Sequence, residues 1–239
     1  MRALPRSLVR PRLALVVALG CVLLGSAVAF AAVWSEDVAP SPEATRGSAH
    51  PPIVVIVMEN HSYGQIMASP SARYFRRFAR GGTLFTRFVA QHHPSLPNYL
   101  EMTSGTSSGC RSDVCVQRTY RTDNVFHQLS RAGIRWRAWQ ESMSVRCQSA
   151  ATRLYAAKHN PPLFYENLFP RLCHRYDVPM PRRFPDTLPG FTFLTPNICH
   201  DMHDCSVAVA NRWLRGHAKL LLDRGAVVVV TFDEGTDWS

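Results

Sequence analysis

Five stretches of this 239-residue chain carry side chains able to do chemistry. Glu59 and Asn60 come first, then His92, His93 and Ser95, then Glu141. Asn197, His200, Asp201 and His203 form a polar run, and Asp233 and Glu234 lie close to the last residue. Carboxylates gathered in one place repel one another, and their pKa values rise unless a cation neutralises them. Glu59, Asn60, Asp233, Glu234 and Asp201 are oxygen donors suited to a hard divalent ion such as magnesium or calcium. Imidazole from His200 and His203 would move the choice toward zinc or manganese. Asp201 and His203 are spaced like a local ligand pair, although a merely polar turn between Cys199 and Cys205 would read the same. Ser95 is the candidate nucleophile. In His93-Pro94-Ser95-Leu96-Pro97-Asn98 the prolines restrict the backbone, and Asn98 stands where a helix starts. A serine at a helix N-terminus meets free amide donors and the positive end of the dipole, a cradle for phosphate. Beside a metal its hydroxyl can lose its proton without a histidine base. The plainer reading makes Ser95 and Asn98 a turn residue and a cap.

Other chemistries fit less well. A Ser-His-Asp esterase needs a G-x-S-x-G elbow after a strand; nothing of the kind surrounds Ser95, and Ser104-Gly105 lacks the first glycine. No Walker P-loop and no G-x-G-x-x-G occurs, which argues against nucleotide-driven and dinucleotide-dependent functions.

The elements that must position these residues alternate. Ile53–Met58 and Val227–Phe232 are continuous apolar, β-branched runs of the kind found in strands buried on both faces of a parallel sheet. Weaker strand patterns occupy 83–89, 134–139 and 191–195, with helical patterns at 72–79, 98–103, 125–132 and 206–223. This alternation predicts an α/β fold with a mainly parallel central sheet flanked by helices. Each predicted strand runs directly into one of the five polar stretches. In open α/β sheets ligands bind beyond the carboxyl ends of the strands, so parallel strands would bring the five stretches to one rim.

With 46% hydrophobic and 18% charged residues the composition is that of a globular protein, not a collagenous or disordered chain. The net charge is +10, but four of the 27 basic residues (Arg2, Arg6, Arg10 and Arg12) lie in the first dozen. The other basic residues are scattered rather than gathered on one module, so no nucleic-acid partner is expected. Those arginines precede an apolar run at 13–28 and then small residues, the order of a secretory signal with cleavage near Ala31. The run also approaches the ~20 residues that span a bilayer, so 1–32 reads as signal peptide or membrane anchor. Either way the remainder is exported. Residues 33–52 read as a flexible linker and 53–239 as one domain. Apart from Cys21 there are six cysteines, an even number that suggests disulfides with fifteen possible connectivities. Cys110 with Cys115 and Cys199 with Cys205 could each staple a short loop, leaving Cys147 with Cys173. A zinc site competes, but no C-x-x-C pair occurs.

Five blocks then occur in order: I-V-V-I-V-M-E-N-H-S, H-P-S-L-P-N-Y-L-E-M-T-S-G, K-H-N-P, P-N-I-C-H-D-M-H-D and V-V-V-V-T-F-D-E-G. Together, from about Pro52 to the end, they resemble the bacterial phosphoesterase family, which includes secreted acid phosphatases and phospholipases C and belongs to the alkaline phosphatase superfamily. The resemblance implies an alkaline-phosphatase-like fold and a divalent metal ion: magnesium, calcium, manganese or zinc. It gives Glu59, Asn60, Asp233 and Glu234 the roles of metal ligands, and makes Ser95 the nucleophile with Asn98 steadying the phosphoryl oxygens. Asp201 and His203 fall where the superfamily places further metal or phosphate-binding groups, and His159 sits in the K-H-N-P block. A protonated His203 or His159 would supply the leaving group's proton.

The expected activity is exported, metal-dependent hydrolysis of phosphate monoesters through a phosphoserine intermediate. A phospholipase C acting on lipid phosphodiesters is the alternative, with Phe164, Tyr165 and Phe169 as candidate lipid contacts at a membrane surface. The substrate would be a small-molecule or lipid phosphate ester. Family members continue for several dozen residues beyond T-F-D-E-G, whereas this chain stops at Ser239. That implies a domain incomplete at its C-terminus, poorly soluble or weakly active. At the extreme it would be an inactive binding protein for anionic surfaces.

Overall fold

The structure, a computed structural model, describes residues 50–236. The expected signal or anchor at 1–32 and all but the last three residues of the linker lie outside the described residues. Among the described residues no helix is long and apolar enough to cross a membrane.

Five strands, β1 (Ile53–Met58), β2 (Trp136–Gln140), β3 (Asp177–Pro179), β4 (Phe191–Thr195) and β5 (Val227–Phe232), form one sheet in the order β3-β2-β4-β1-β5. Every neighbouring pair is parallel. Six α-helices accompany them: α1 (Tyr63–Ala68), α2 (Arg73–Arg80), α3 (Ser95–Ser104), α4 (Val125–Arg131), α5 (Arg171–Tyr176) and α6 (Val207–Leu222). The fold is α/β with a parallel central sheet, as the alternation predicts, and is consistent with an alkaline-phosphatase-like architecture.

Strand periodicity divides the core in two. From β1, Val54, Ile56 and Met58 face one layer, where they meet Phe75 of α2 and Ala210, Trp213, Leu214 and Leu221 of α6. Val57 and, from β4, Phe193 face the other, packed with Leu96, Tyr99 and Leu100 of α3, Phe126 of α4 and Trp136 of β2. Phe164 and Tyr165 are buried in this second layer, so neither is available to touch lipid; Phe169 is exposed. Register keeps the strand ends level: Met58 pairs with Phe232, and Gln140 with Thr195. The residues that follow the strands therefore emerge along one rim.

Two strand expectations need correction. Residues 83–89 form no strand; after Gly81-Gly82 the chain runs as an irregular segment that exposes Leu84, Phe85, Phe88 and Val89. Strand propensity needs a partner and a half-buried surface, and this segment has no partner strand among the described residues. β5 is a strand but is not buried on both faces. It pairs only with β1, and as an edge strand it leaves Val227 and Val229 exposed. α1, α5 and β3 were not anticipated. β3 has three residues and ends in Pro179, which fits its place on the opposite edge.

The disulfides are Cys110–Cys115, Cys147–Cys173 and Cys199–Cys205. The sulfurs of Cys147 and Cys173 lie beside Asp177, but they are bonded to each other and present no thiolates to a metal.

Asp177 belongs to a buried polar network under the sheet rim. Asn160 donates to Asp177 Oδ2 (2.8 Å) and to Tyr155 Oη (2.9 Å), and accepts from Gln140 Nε2 (2.9 Å). Burial pushes the Asp177 carboxyl up to about 7, against the hydrogen bond from Asn160. An unfolded aspartate loses its proton near pH 4. Between about pH 4 and about pH 7 the native state thus holds the extra proton, and stability is lost as pH rises through that window. Asp177→Asn should remove this residue's share of the slope, leaving the protein on the order of 4 kcal/mol more stable above about pH 7 and little changed near pH 4. Urea unfolding across that range checks this; an unchanged slope in the variant would contradict it.

Candidate active site

Glu59 follows β1 directly and is fully buried. Its amide donates to the Asp201 carbonyl (2.9 Å), which ties the end of β1 to the turn after β4. Its Oε1 accepts from Tyr99 Oη at 2.6 Å, and its Oε2 accepts from Ser95 Oγ at 3.3 Å. Ser95 opens α3 after Pro94, with Pro97 still in the first turn, where no backbone donor is needed. Gly105, at φ +74°, closes the helix in the left-handed conformation that glycine adopts readily. Ser95 and Tyr99 are four residues apart on one face, so both hydroxyls reach the same carboxylate.

On the far side of Ser95, its Oγ lies 3.5 Å from Glu234 Oε1. Glu234 Oε2 lies 2.6 Å from His93 Nδ1. Asp233 follows β5; its Oδ1 accepts from the Asn60 amide (3.4 Å), and Asn60 turns through φ +54° to make that approach. Asp201, within the loop closed by Cys199–Cys205, accepts from the His203 amide at 2.7 Å. His159 is buried and stacks on Tyr99, with ring centroids 5.1 Å apart. Its Nε2 lies 3.3 Å from Glu59 Oε1 and its Nδ1 3.6 Å from Asp201 Oδ2.

The electrostatics follow from this crowding. Burial, then the charges of Asp233 and Asp201, holds the Glu59 carboxyl well above the usual range. Burial raises Asp201 to about 8 and Asp233 to about 6, and it raises Glu234 against the opposing pull of His93. Burial, with the nearby Lys158 and His203, holds His159 well below its ordinary value, as a neutral imidazole. Tyr99 is pushed up by burial and by Glu59, so it keeps its proton and donates.

This donor set fits a divalent cation. One ligand atom each from Glu59, His159 and Asp201 lies within 4.8 Å of the others. Among the described residues both ring nitrogens of His159, Asp201 Oδ2 and Asp233 Oδ2 are buried without a hydrogen-bond partner. Buried polar atoms are rarely left so, and orphans converging on one point suit a positive charge.

The structure thus gathers Ser95, Glu59, Asp201, Asp233, Glu234 and His159, with the Asn60 backbone at the edge. Asn98 is buried beside them, but its Oδ1 accepts from the amides of Gln91 and His92 and its Nδ2 donates to the His92 carbonyl (2.8 Å). It clamps the segment leading to Ser95. His203 is partly exposed, its Nδ1 on Asp204 at 2.7 Å and its ring 5.8 Å from that of His159. His200 is turned to Glu141 (2.9 Å) and Trp213, outside the cluster. Sequence reasoning had not singled out Tyr99; its spacing of four from Ser95 was the available signal.

Residues 68–238 match the Phosphoesterase family, and the chain belongs to it. It is 32% identical over 188 residues to a phosphatidylinositol-3-phosphatase of Mycobacterium tuberculosis, covering 76% of this chain and 62% of that protein. It is 26% identical over 224 residues to a probable acid phosphatase of Kluyveromyces lactis, covering 85% and 52% of the two chains. A phosphate-repressible acid phosphatase of Penicillium chrysogenum is 27% identical over 179 residues, 68% of this chain and 43% of that one. The chain thus spans about half the length of these relatives.

Cation binding should carry a pH signature. Raised carboxyl pKa values mean the cation-free native state holds extra protons, so its stability falls as pH rises through Asp233 near 6 and Asp201 near 8. A cation must displace those protons at low pH but not at high pH. Magnesium, manganese or zinc should therefore raise Tm more at about pH 8 than at about pH 5, relative to chelator. A shift of equal size at both pH values would count against a site made of these carboxyls.

Proposed function

We propose that the chain is a phosphoric ester hydrolase: an exported, metal-dependent phosphatase that cleaves phosphate monoesters through a phosphoserine intermediate at Ser95. The observation that carries this reading is the Ser95 hydroxyl at the head of α3, bonded to Glu59 and set beside Glu234, Asp233 and the orphaned atoms of His159 and Asp201. The family and the phosphatase names of the relatives support the same class. Three disulfides agree with export from a reducing cytosol.

Glu59, His159 and Asp201 would hold the cation, with Asp233, Glu234 and Asn60 at its margin. When bound, the ion supplies a lowered pKa for the serine hydroxyl and positive charge for the phosphoryl oxygens. Ser95 Oγ gives up its proton toward the carboxylate side of the site and attacks phosphorus in line. The phosphorus–oxygen bond to the leaving group breaks, and that oxygen takes a proton. His203 suits this donation because it is partly exposed, whereas the neutral, buried His159 would serve as a ligand and not as an acid. Water then attacks phosphorus, releasing inorganic phosphate and returning the proton to Ser95. Tyr99 keeps one Glu59 oxygen occupied and leaves the other for Ser95, and Asn98 fixes the backbone just before the nucleophile. Positioning and electrostatics carry most phosphoryl-transfer catalysis, and this arrangement supplies both.

Ser95→Ala should lower phosphate release from an aryl phosphate at least about a thousandfold while leaving the fold intact. Chelator should do the same to the wild-type chain, with recovery on adding back a divalent ion. Release of a phosphorylated headgroup from a lipid, with no inorganic phosphate from the aryl ester, would favour a phospholipase C. No turnover by folded protein across pH and metals would overturn the enzymatic reading.

A further inference from the structure

Only two of the 27 basic residues are lysines, Lys158 and Lys219. Lys219 is an exposed residue of α6 paired with Asp223, just past the end of that helix. Lys158 is different. It precedes the buried His159, its side chain is 24% exposed, and its Nζ lies 2.7 Å from Asp113 Oδ2. The other oxygen of Asp113 accepts from the amide of Leu96, the residue after Ser95, at 3.1 Å. One carboxylate therefore joins the Lys158 ammonium to the first turn of the nucleophile's helix. Asp113 is itself held in the short loop closed by Cys110–Cys115.

We propose that Lys158 is a substrate-binding residue that contacts the phosphoryl group at Ser95 and selects the dianion of a phosphate monoester over the monoanion of a diester, with Asp113 as its positioning residue. This rests on the phosphatase reading above and names the substrate class within it. The physical basis is charge. An ammonium has three donors, and Asp113 uses one. The walls of the site are acidic, so an approaching phosphoryl group meets repulsion that a fixed cation offsets, more so for two negative charges than for one. A lysine meets the group as a compact point charge. The ion pair with Asp113 holds the long side chain in place beforehand, so little freedom is lost when substrate arrives.

The first test uses the wild-type chain and needs no turnover. An amine-acylating reagent, read by peptide mass spectrometry in the presence of a divalent cation, reports Lys158 and Lys219 separately. Inorganic phosphate should slow acylation of Lys158 several-fold and leave Lys219 unchanged, and a dialkyl phosphate at equal concentration should protect much less. Equal labelling of Lys158 with and without phosphate would overturn the proposal, even if the chain proves to be a phosphatase. The second test compares Lys158→Met and Lys158→Arg on an aryl phosphate and a bis-aryl phosphate. The Met variant should lose at least about tenfold in kcat/KM on the monoester and much less on the diester, and Arg should restore part of the loss. Asp113→Asn should fall between them, with most of its effect in KM. Equal losses on both esters would mean that Lys158 acts only through structure. If the wild-type chain hydrolyses neither ester, the phosphatase reading fails on its own, and the acylation result still decides whether phosphate meets Lys158.

Discussion

Like charges buried together are the constraint on which the rest of this structure depends. Glu59, Asp201, Asp233 and Glu234 are all buried, and they converge on one end of the sheet. Crowded and buried, all four are pushed upward, Glu59 well above the usual carboxylate range, Asp201 to about 8 and Asp233 to about 6. The unpartnered nitrogens of the neutral His159 stand among them. Such a cluster is costly as an apolar core and useful as a cation site, and Ser95 is hydrogen-bonded to it.

The fold gathers these groups by a simple route. β1, β4 and β5 are adjacent and parallel, so the residues after their last positions come out side by side. α3 packs Leu96, Tyr99 and Leu100 into the core and so holds Ser95 at its head against the end of β1. Two short disulfide loops each carry a carboxylate: Asp113 within Cys110–Cys115, bonded to the Leu96 amide, and Asp201 within Cys199–Cys205, in the buried cluster. Closing a small loop limits where such a carboxylate can go, which matters most for a group that would otherwise turn toward water.

Much of this was legible before any coordinates. β1 and β5 were marked by their β-branched runs, and the acidic pairs after them could be read directly. Ser95 stood out because two prolines and an asparagine bracketed it. What could not be read were features that depend on partners. Residues 83–89 have strand-like composition but pair with nothing described, so they run as an exposed segment. β3 has three residues, one of them a proline, and carries too little pattern to announce itself. The Asp113 link between Lys158 and the Leu96 amide spans 45 positions on one side and 17 on the other, beyond the reach of local spacing. Asn98 was recognisable as important, but its hold on the backbone of residues 91 and 92 needed the folded geometry.

The most direct measurement is to mix the chain with an aryl phosphate, quench in acid within a turnover, and map phosphorylation by peptide mass spectrometry, with and without chelator. A phosphoryl group on Ser95 should appear when a divalent ion is present and be lost with chelator. Steady turnover with no label on Ser95, with label on another residue, or with equal label in chelator would contradict it.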